Sequence, residues 1–369
     1  MSLADQSFAL APRARRFVFL GLSTYARIGG LQHFNRRVIA GLSRLGVTTS
    51  VLRGDRAEHV PGGDGVRHRA CGSNIALLAG RTIWAAATAD VLFVGHINLM
   101  PLAALAKLMR PGLRVVLFVH GDEVWNDPDY RKVRPWDRLV LRAADRVSAV
   151  SEHTAQRVQE IFAVDPARLS VLPNAVDRIE MQLPAHRPAN SILAVTRLAG
   201  HDRGKHVDAL LRALPSVLQN HPEAILTIIG DGVLRPELEA LANGLGISHA
   251  VDFKGRVDAI TLDWAYREAT AFALPSAKEG FGIVYLEAWQ HGVPVVTGTE
   301  DAATTLVDHG EDGFSVHHDD IDGLAQTLSA LLGDLRGAAE MGRAGAAKVN
   351  RRYTAAAFEN RLMHMIETL

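Results

Sequence analysis

Short apolar runs and longer helical patterns take turns along almost the whole chain. The run "FVFLGL" at 17–22 reads as a buried strand. The turn "RIGG" follows it, and apolar positions three and four apart then predict a helix over about 31–45. Further strands are predicted at 47–52, 91–95, 114–119, 146–150 and 169–172, with helices at 74–88, 101–110, 132–144 and 153–162. The alternation then stops. Residues 173–190 hold three prolines and no periodic apolar face, the composition of a linker. It restarts with strands at 191–196, 224–230, 251–255, 271–275, 293–298 and 313–316, and helices at 204–219, 234–245, 281–291, 321–333 and 335–349. Strands that alternate with helices build parallel sheets covered on both faces. The pattern therefore predicts an α/β protein of two Rossmann-like, doubly wound domains, over 17–183 and 184–352. Ligands of such sheets bind beyond the C-terminal strand ends, so a central cleft between two facing sheets is the expected site.

Composition fits this picture. The 369 residues are 48% hydrophobic and 22% charged, as in a soluble globular chain of two domains. No apolar run reaches the roughly 18 residues of a membrane helix. The first 16 residues are polar and aperiodic, which predicts a mobile segment. They contain no apolar signal-peptide core before Phe17, and with Cys71 as the one cysteine the expected compartment is a reducing cytoplasm. Charge is balanced overall but not along the chain. Residues 1–183 carry 24 Lys and Arg against 16 Asp and Glu, a net of +8, and the remainder carries −8. Such asymmetry fits either attraction between the halves or a basic half that meets an anion or an anionic surface. The basic-rich stretch "RKVRPWDRLVLRAADR" at 131–146, with Trp136, reads either as a solvated helix face or as a face for the inner surface of a membrane. No nucleic-acid module is present, so no nucleic-acid partner is expected.

Candidate chemistry sits at strand ends. "KEGFGIVYLEAWQHGVPVV" at 278–296 carries Glu279 and Glu287 in an otherwise apolar and glycine-rich stretch. Gly280 and Gly282 permit close backbone approach, and a strand-to-helix turn offers free N–H groups to a phosphate. Glu279 also reads as a helix N-terminal acid, and Glu287 as a surface residue, although its apolar neighbours favour a polar partner. Arg197 and Lys205 in "VTRLAGHDRGK" can hold a diphosphate or line a basic loop, and Arg203 competes with Lys205 for that role. His120 follows a strand in "FVHGDE" and can bond a sugar hydroxyl or move a proton. Gly29 and Gly30 follow the first strand but lack the third glycine of a dinucleotide fingerprint, which argues against an NAD enzyme. The carboxylate pairs of "DPD" (127–129) and "DID" (320–322) read as structural. No His/Cys cluster has zinc spacing.

Taken together, "VTRL…GK", "LPNAVD" (172–177), "IIGDGVLRPELEALA" (228–242), "FKGRV" (253–257) and "EGFGIVYLEAWQHGVPVV" resemble, in order, the donor-domain pattern of the retaining glycosyltransferases of family 4. The resemblance runs from about Phe17 to the C-terminus and implies the GT-B fold. It implies a nucleotide-sugar donor bound by 184–352, an acceptor bound by 17–183, and a last helix, about 353–369, that returns to the first domain. By the same resemblance Glu287 would bond the ribose and Glu279 the transferred sugar. Gly280, Phe281, Gly282 and Ile283, with Arg197 and Lys205, would hold the diphosphate. Arg256 and Val257 would lie by the base, Gly30 by the phosphates and His120 by the donor sugar. His120, Glu279, Arg197 and Lys205 are thus the expected catalytic set, with no cofactor and no metal. The implied reaction moves a hexosyl unit from a GDP- or UDP-sugar, GDP-mannose foremost, to a saccharide or lipid-linked saccharide of a bacterial surface polysaccharide or glycoconjugate. A sugar-nucleotide 2-epimerase of related fold and a non-catalytic nucleotide-sugar binding protein are the alternatives. The segment between Arg197 and Lys205 is longer than the family's usual link.

Overall fold

A computed structural model describes residues 14–121, 123–128, 131–177, 179 and 190–369. The N-terminal segment expected over 1–16 lies mostly outside these residues, as do most of the linker and Asp129 of the "DPD" pair. The chain divides into two compact units. One takes residues up to Phe118 with Leu139–Val147 and Leu362–Leu369. The other takes Val119–Arg138 and Ser148–Arg361.

The first half of the chain runs β1 (Arg16–Leu22), α1 (Gly30–Leu45), β2 (Val47–Arg53), β3 (Arg67–Ala70), α2 (Ile75–Ala86), β4 (Val91–Val94), α3 (Met100–Met109), β5 (Arg114–Val119), α4 (Asp137–Leu141), β6 (Arg146–Ala149), α5 (Glu152–Phe162) and β7 (Leu169–Val171). These strands form a seven-stranded sheet in the order β3-β2-β1-β4-β5-β6-β7. β1 pairs in parallel with both β2 and β4. Helix α1 buries Phe34, Val38, Ile39 and Leu42, the three-and-four spacing read from the sequence. Within the first unit, the Arg15 and Arg146 side chains donate to the carbonyls of Ile366 (3.4 Å) and Thr368 (3.2 Å).

The second half runs β8 (Ser191–Val195), α6 (Val207–Asn220), β9 (Ile225–Ile229), α7 (Arg235–Gly244), β10 (Val251–Gly255), α8 (Ala259–Glu268), β11 (Ala271–Leu274), α9 (Ile283–Gln290), β12 (Val295–Thr297), β13 (Gly313–Ser315), α10 (Ile321–Gly333), α11 (Leu335–Arg352) and α12 (Ala355–Glu367). Its six strands order as β10-β9-β8-β11-β12-β13. The chain leaves β8 to one side and returns at β11 on the other. The C-terminal ends of β8 and β11 therefore flank the topological switch point.

Four elements differ from the sequence pattern. The helix expected over 132–144 shrinks to α4. Pro135 cannot donate within a helix, and Asp137 instead receives the Arg134 N–H (2.7 Å) and a buried ion pair from Arg131 (2.6 Å). The helix expected from 204 begins at Val207, because Gly200–Lys205 forms a tight 3-10 turn closed by His206 at φ 51. Strand β3 and helix α8 had no prediction, since "RHRA" has no apolar run and α8 fully buries only Tyr266. Among the described residues no helix is long and apolar enough to cross a membrane.

Helix α9 is held with unusual thoroughness for eight residues. Tyr285 donates to the Leu274 carbonyl (2.8 Å), and Trp289 Nε1 donates to the Asp312 carbonyl (2.8 Å). Lys348 of α11 sits over the Trp289 ring, at 5.1 Å, and pairs with Asp312 and Asp308. Gly345 lets α11 come this close, because a Cβ there would lie 2.0 Å from the Trp289 ring.

Candidate functional site

The second unit gathers most of the expected residues around the end of β11. Lys205, at the end of the 3-10 turn after β8, is 8% exposed. Its ammonium pairs with Glu279 and donates to the Lys278 carbonyl (3.1 Å). Arg203 points elsewhere. Its guanidinium meets the Glu237 carboxylate at 2.7 and 2.6 Å, with both side chains exposed. The structure thus puts Lys205, not Arg203, at the glutamate. Arg197 is largely exposed and bonds Asp202 of the same turn at 3.2 Å. Asp202 is buried and also receives the Ala199 N–H (3.3 Å), so it shapes the long segment between the two cations.

A second carboxylate, absent from the sequence reading, completes this group. Asp301 is 1% exposed and accepts the N–H groups of Glu279 (2.9 Å) and Ala303 (2.9 Å). Burial, then the neighbouring Glu279 charge, pushes its carboxyl from 3.8 up to about 7, against the pull of Lys205. One cation thus serves two carboxyl groups, and near neutral pH Asp301 holds a proton part of the time. The sequence signal was faint, because the Asp301 that caps the turn Ala302–Thr305 looks like an ordinary cap.

The glycine loop between the strand and α9 leaves no room for side chains. At Gly280 a Cβ would lie 1.8 Å from the His120 carbonyl oxygen, and at Gly121 it would lie 2.7 Å from Gly280 Cα. The Ser151 and Thr154 hydroxyls both donate to the Gly280 carbonyl, at 2.8 and 3.1 Å. Lys278 pairs with Asp127 at 2.5 Å, which gives that member of the "DPD" pair a structural task. His120 is therefore brought to the loop through its backbone. Gly282 adopts φ 87, a left-handed conformation that favours glycine, and caps α9 with no side-chain acceptor. The Tyr285 N–H returns to the Gly282 carbonyl (3.1 Å), while the N–H groups of the first two residues, Ile283 and Val284, lie at the positive end of the helix, the arrangement that suits an anion.

Just over one turn into α9, Glu287 is half-buried, and Tyr266 of α8 donates to its Oε2 at 2.9 Å. Burial raises the Glu287 carboxyl, and Tyr266, fully enclosed beside it, is raised well above its ordinary value. His291 stacks on Tyr266 (5.2 Å) and bonds Asp263 (2.8 Å), fixing α8 to the end of α9. Phe281 is buried against Tyr353 and acts as an anchor of the loop. Arg256 is exposed and Val257 half-buried after β10. Gly30, in the first unit, opens α1. The turn before it is built on buried Asp55, which accepts the N–H groups of Thr24, Tyr25 and Ala26 at 2.7–2.8 Å. Asp320 of the "DID" pair caps α10 through Gly323 (2.9 Å), as expected of a structural residue.

Two Rossmann-like parallel sheets, with cations and a glycine loop at one switch point, define the GT-B fold class. Known proteins agree. The family model for group 1 glycosyl transferases matches residues 189–334, and that for glycosyltransferase family 4 matches residues 28–179. A GDP-mannose-dependent alpha-(1-6)-phosphatidylinositol monomannoside mannosyltransferase of Mycolicibacterium smegmatis is 33% identical over 288 residues, covering 72% of this chain and 70% of that one. A GDP-mannose-dependent monoacylated alpha-(1-6)-phosphatidylinositol monomannoside mannosyltransferase of Corynebacterium glutamicum is 30% identical over 295 residues, covering 73% and 74%. Among solved structures, HepE of Anabaena in complex with UDP superposes with a TM-score of 0.78 at 20% identity, over 96% of this chain and 100% of that one. Sucrose-phosphate synthase of Thermosynechococcus elongatus gives 0.78 at 17% identity, over 96% and 98%. The chain belongs to glycosyltransferase family 4, and it is a glycosyltransferase.

Proposed function

We propose that the chain transfers mannose from GDP-mannose, with retention of anomeric configuration, to a saccharide or lipid-linked saccharide. The carrying observation is the Lys205–Glu279 pair at the uncapped start of α9, with Glu287 fixed by Tyr266 on the same helix. The relatives named above support mannose and GDP. In this reading Arg197, Lys205 and the N–H groups of Gly280–Ile283 receive the diphosphate, Glu287 receives the ribose hydroxyls, and Glu279 and His120 face the sugar. Arg256 and Val257 flank the base, and Gly30 approaches the phosphates.

The chemistry follows from charge. The bond between the anomeric carbon and the phosphate oxygen breaks, and its electron pair stays on the phosphate. Positive charge fixed beforehand at that oxygen stabilises the transition state more than the ground state. The acceptor hydroxyl attacks from the face that the phosphate leaves, and its proton passes to the departing phosphate. No metal enters this step. A lipid-linked acceptor is supported by the first unit, where α2 and α3 pack together and expose Trp84, Leu108 and Met109 at 69%, 78% and 63%. That surface is more apolar than the basic 131–146 stretch, and it supports a position at the inner face of a membrane.

The test is a panel of GDP- and UDP-sugars scored for released nucleoside diphosphate. GDP-mannose should give the fastest release. Preferential use of a UDP-sugar would overturn the donor assignment, and a 2-epimerised sugar nucleotide would identify an isomerase.

A further inference from the structure

Beside the donor-site loops lies a cluster that the transfer does not use. Glu300, at the end of the β12 exit loop, faces two consecutive histidines after β13. His317 Nε2 lies 3.4 Å from Glu300 Oε1, and His318 Nδ1 lies 3.3 Å from Glu300 Oε2. One ligand atom from each of these three residues falls within 4.8 Å of the others. The other nitrogen of each ring is turned to a fourth residue. Asp319 places Oδ1 3.5 Å from His318 Nε2 and Oδ2 3.9 Å from His317 Nδ1. His206, the residue after Lys205, stacks on the His318 ring at 3.6 Å with an interplanar angle of 19°.

We propose that Glu300, His317 and His318 bind one borderline divalent transition ion, Zn²⁺ being the natural candidate. Two imidazole nitrogens and one carboxylate oxygen select such an ion over Mg²⁺ or Ca²⁺, which take oxygen ligands. Three protein ligands leave a position for water. Asp319 then plays the part that carboxylates play behind metal-bound imidazoles, accepting the outer N–H and orienting the ring. His317 Nδ1 now accepts the Asp319 N–H at 3.2 Å, and ligation through Nε2 exchanges that contact for the Asp319 carboxylate. The His317 and His318 rings also stack on each other, at 4.3 Å, and His206 comes from a segment distant in sequence. The ion has no part in the transfer. It ties the turn that ends at Lys205 and the loop that carries Asp301 to the exit of β13.

The test uses untagged full-length protein, stripped with chelator and titrated with Zn²⁺ against a chromophoric chelator. One equivalent should bind, and the thermal midpoint should rise with occupancy. His317→Asn with His318→Asn, and separately Glu300→Gln, should each weaken binding at least tenfold while the midpoint in chelator stays at the wild-type value. Absence of stoichiometric binding, or equal affinity in the double-histidine variant, overturns the proposal.

Discussion

Replacing Lys205 by Met separates the cost of a broken ion pair from the loss of catalytic charge. Lys205 is 8% exposed and the Glu279 side chain 19% exposed, so the pair is largely but not fully withdrawn from water. Removing one partner of a fully buried pair costs about 3–5 kcal/mol. Glu279 can recover part of its hydration, so the expected loss of folding stability is about 1–3 kcal/mol. The loss in turnover is separate. A preorganised cation at the departing phosphate is worth roughly 2.7–4 kcal/mol, or about 10²–10³ in kcat. Urea unfolding reads the first quantity, and the initial rate of nucleotide release at saturating GDP-mannose reads the second. Adding Glu279→Gln to Lys205→Met should restore stability by removing the orphaned charge, without restoring turnover. Arg203→Met is the control. It pairs with exposed Glu237 and not with Glu279, so turnover should stay at the wild-type level. Turnover retained in Lys205→Met, or lost in Arg203→Met instead, would refute the assignment of the phosphate cation.

Other variants probe the frame around the site. Asp301, raised from 3.8 to about 7 in the fold, stabilises the folded state fully below pH 3.8 and loses that contribution as pH climbs toward 7. Asp301→Asn should flatten the fall of stability across this window, by at most about 4 kcal/mol, as measured by urea unfolding at each pH. Lys348→Met leaves Asp312 buried without its cation and should cost about 3–5 kcal/mol, and a second change, Asp312→Asn, should recover most of it in thermal or urea unfolding. Gly280→Ala forces the loop off the His120 carbonyl, and kcat should fall on the order of 100-fold by displacement of the phosphate donors.

The alternation of strands and helices was legible because its period is local and its runs are long. Within each half it located every strand except β3, whose edge position needs no apolar run. The glutamates and the glycines stood out as polar or flexible residues in apolar surroundings, and Lys205 as a cation after a strand end. Asp301, Tyr266, Ser151 and Thr154 did not. Each does its work through a partner between 21 and 129 residues away, and nothing in its own neighbourhood distinguishes it from a cap or a core residue. The choice between Lys205 and Arg203 was likewise closed to sequence spacing, because a six-residue 3-10 turn decides which side chain points inward.

The central claim is that α9 receives the nucleotide diphosphate at its start and the ribose at Glu287. Calorimetric titration of GDP into wild-type protein and Glu287→Ala tests it most directly. The variant should bind at least about tenfold more weakly, as expected for the loss of charge-assisted hydrogen bonds, with an unchanged circular dichroism spectrum. Equal affinity of the two proteins for GDP would contradict the placement of the donor.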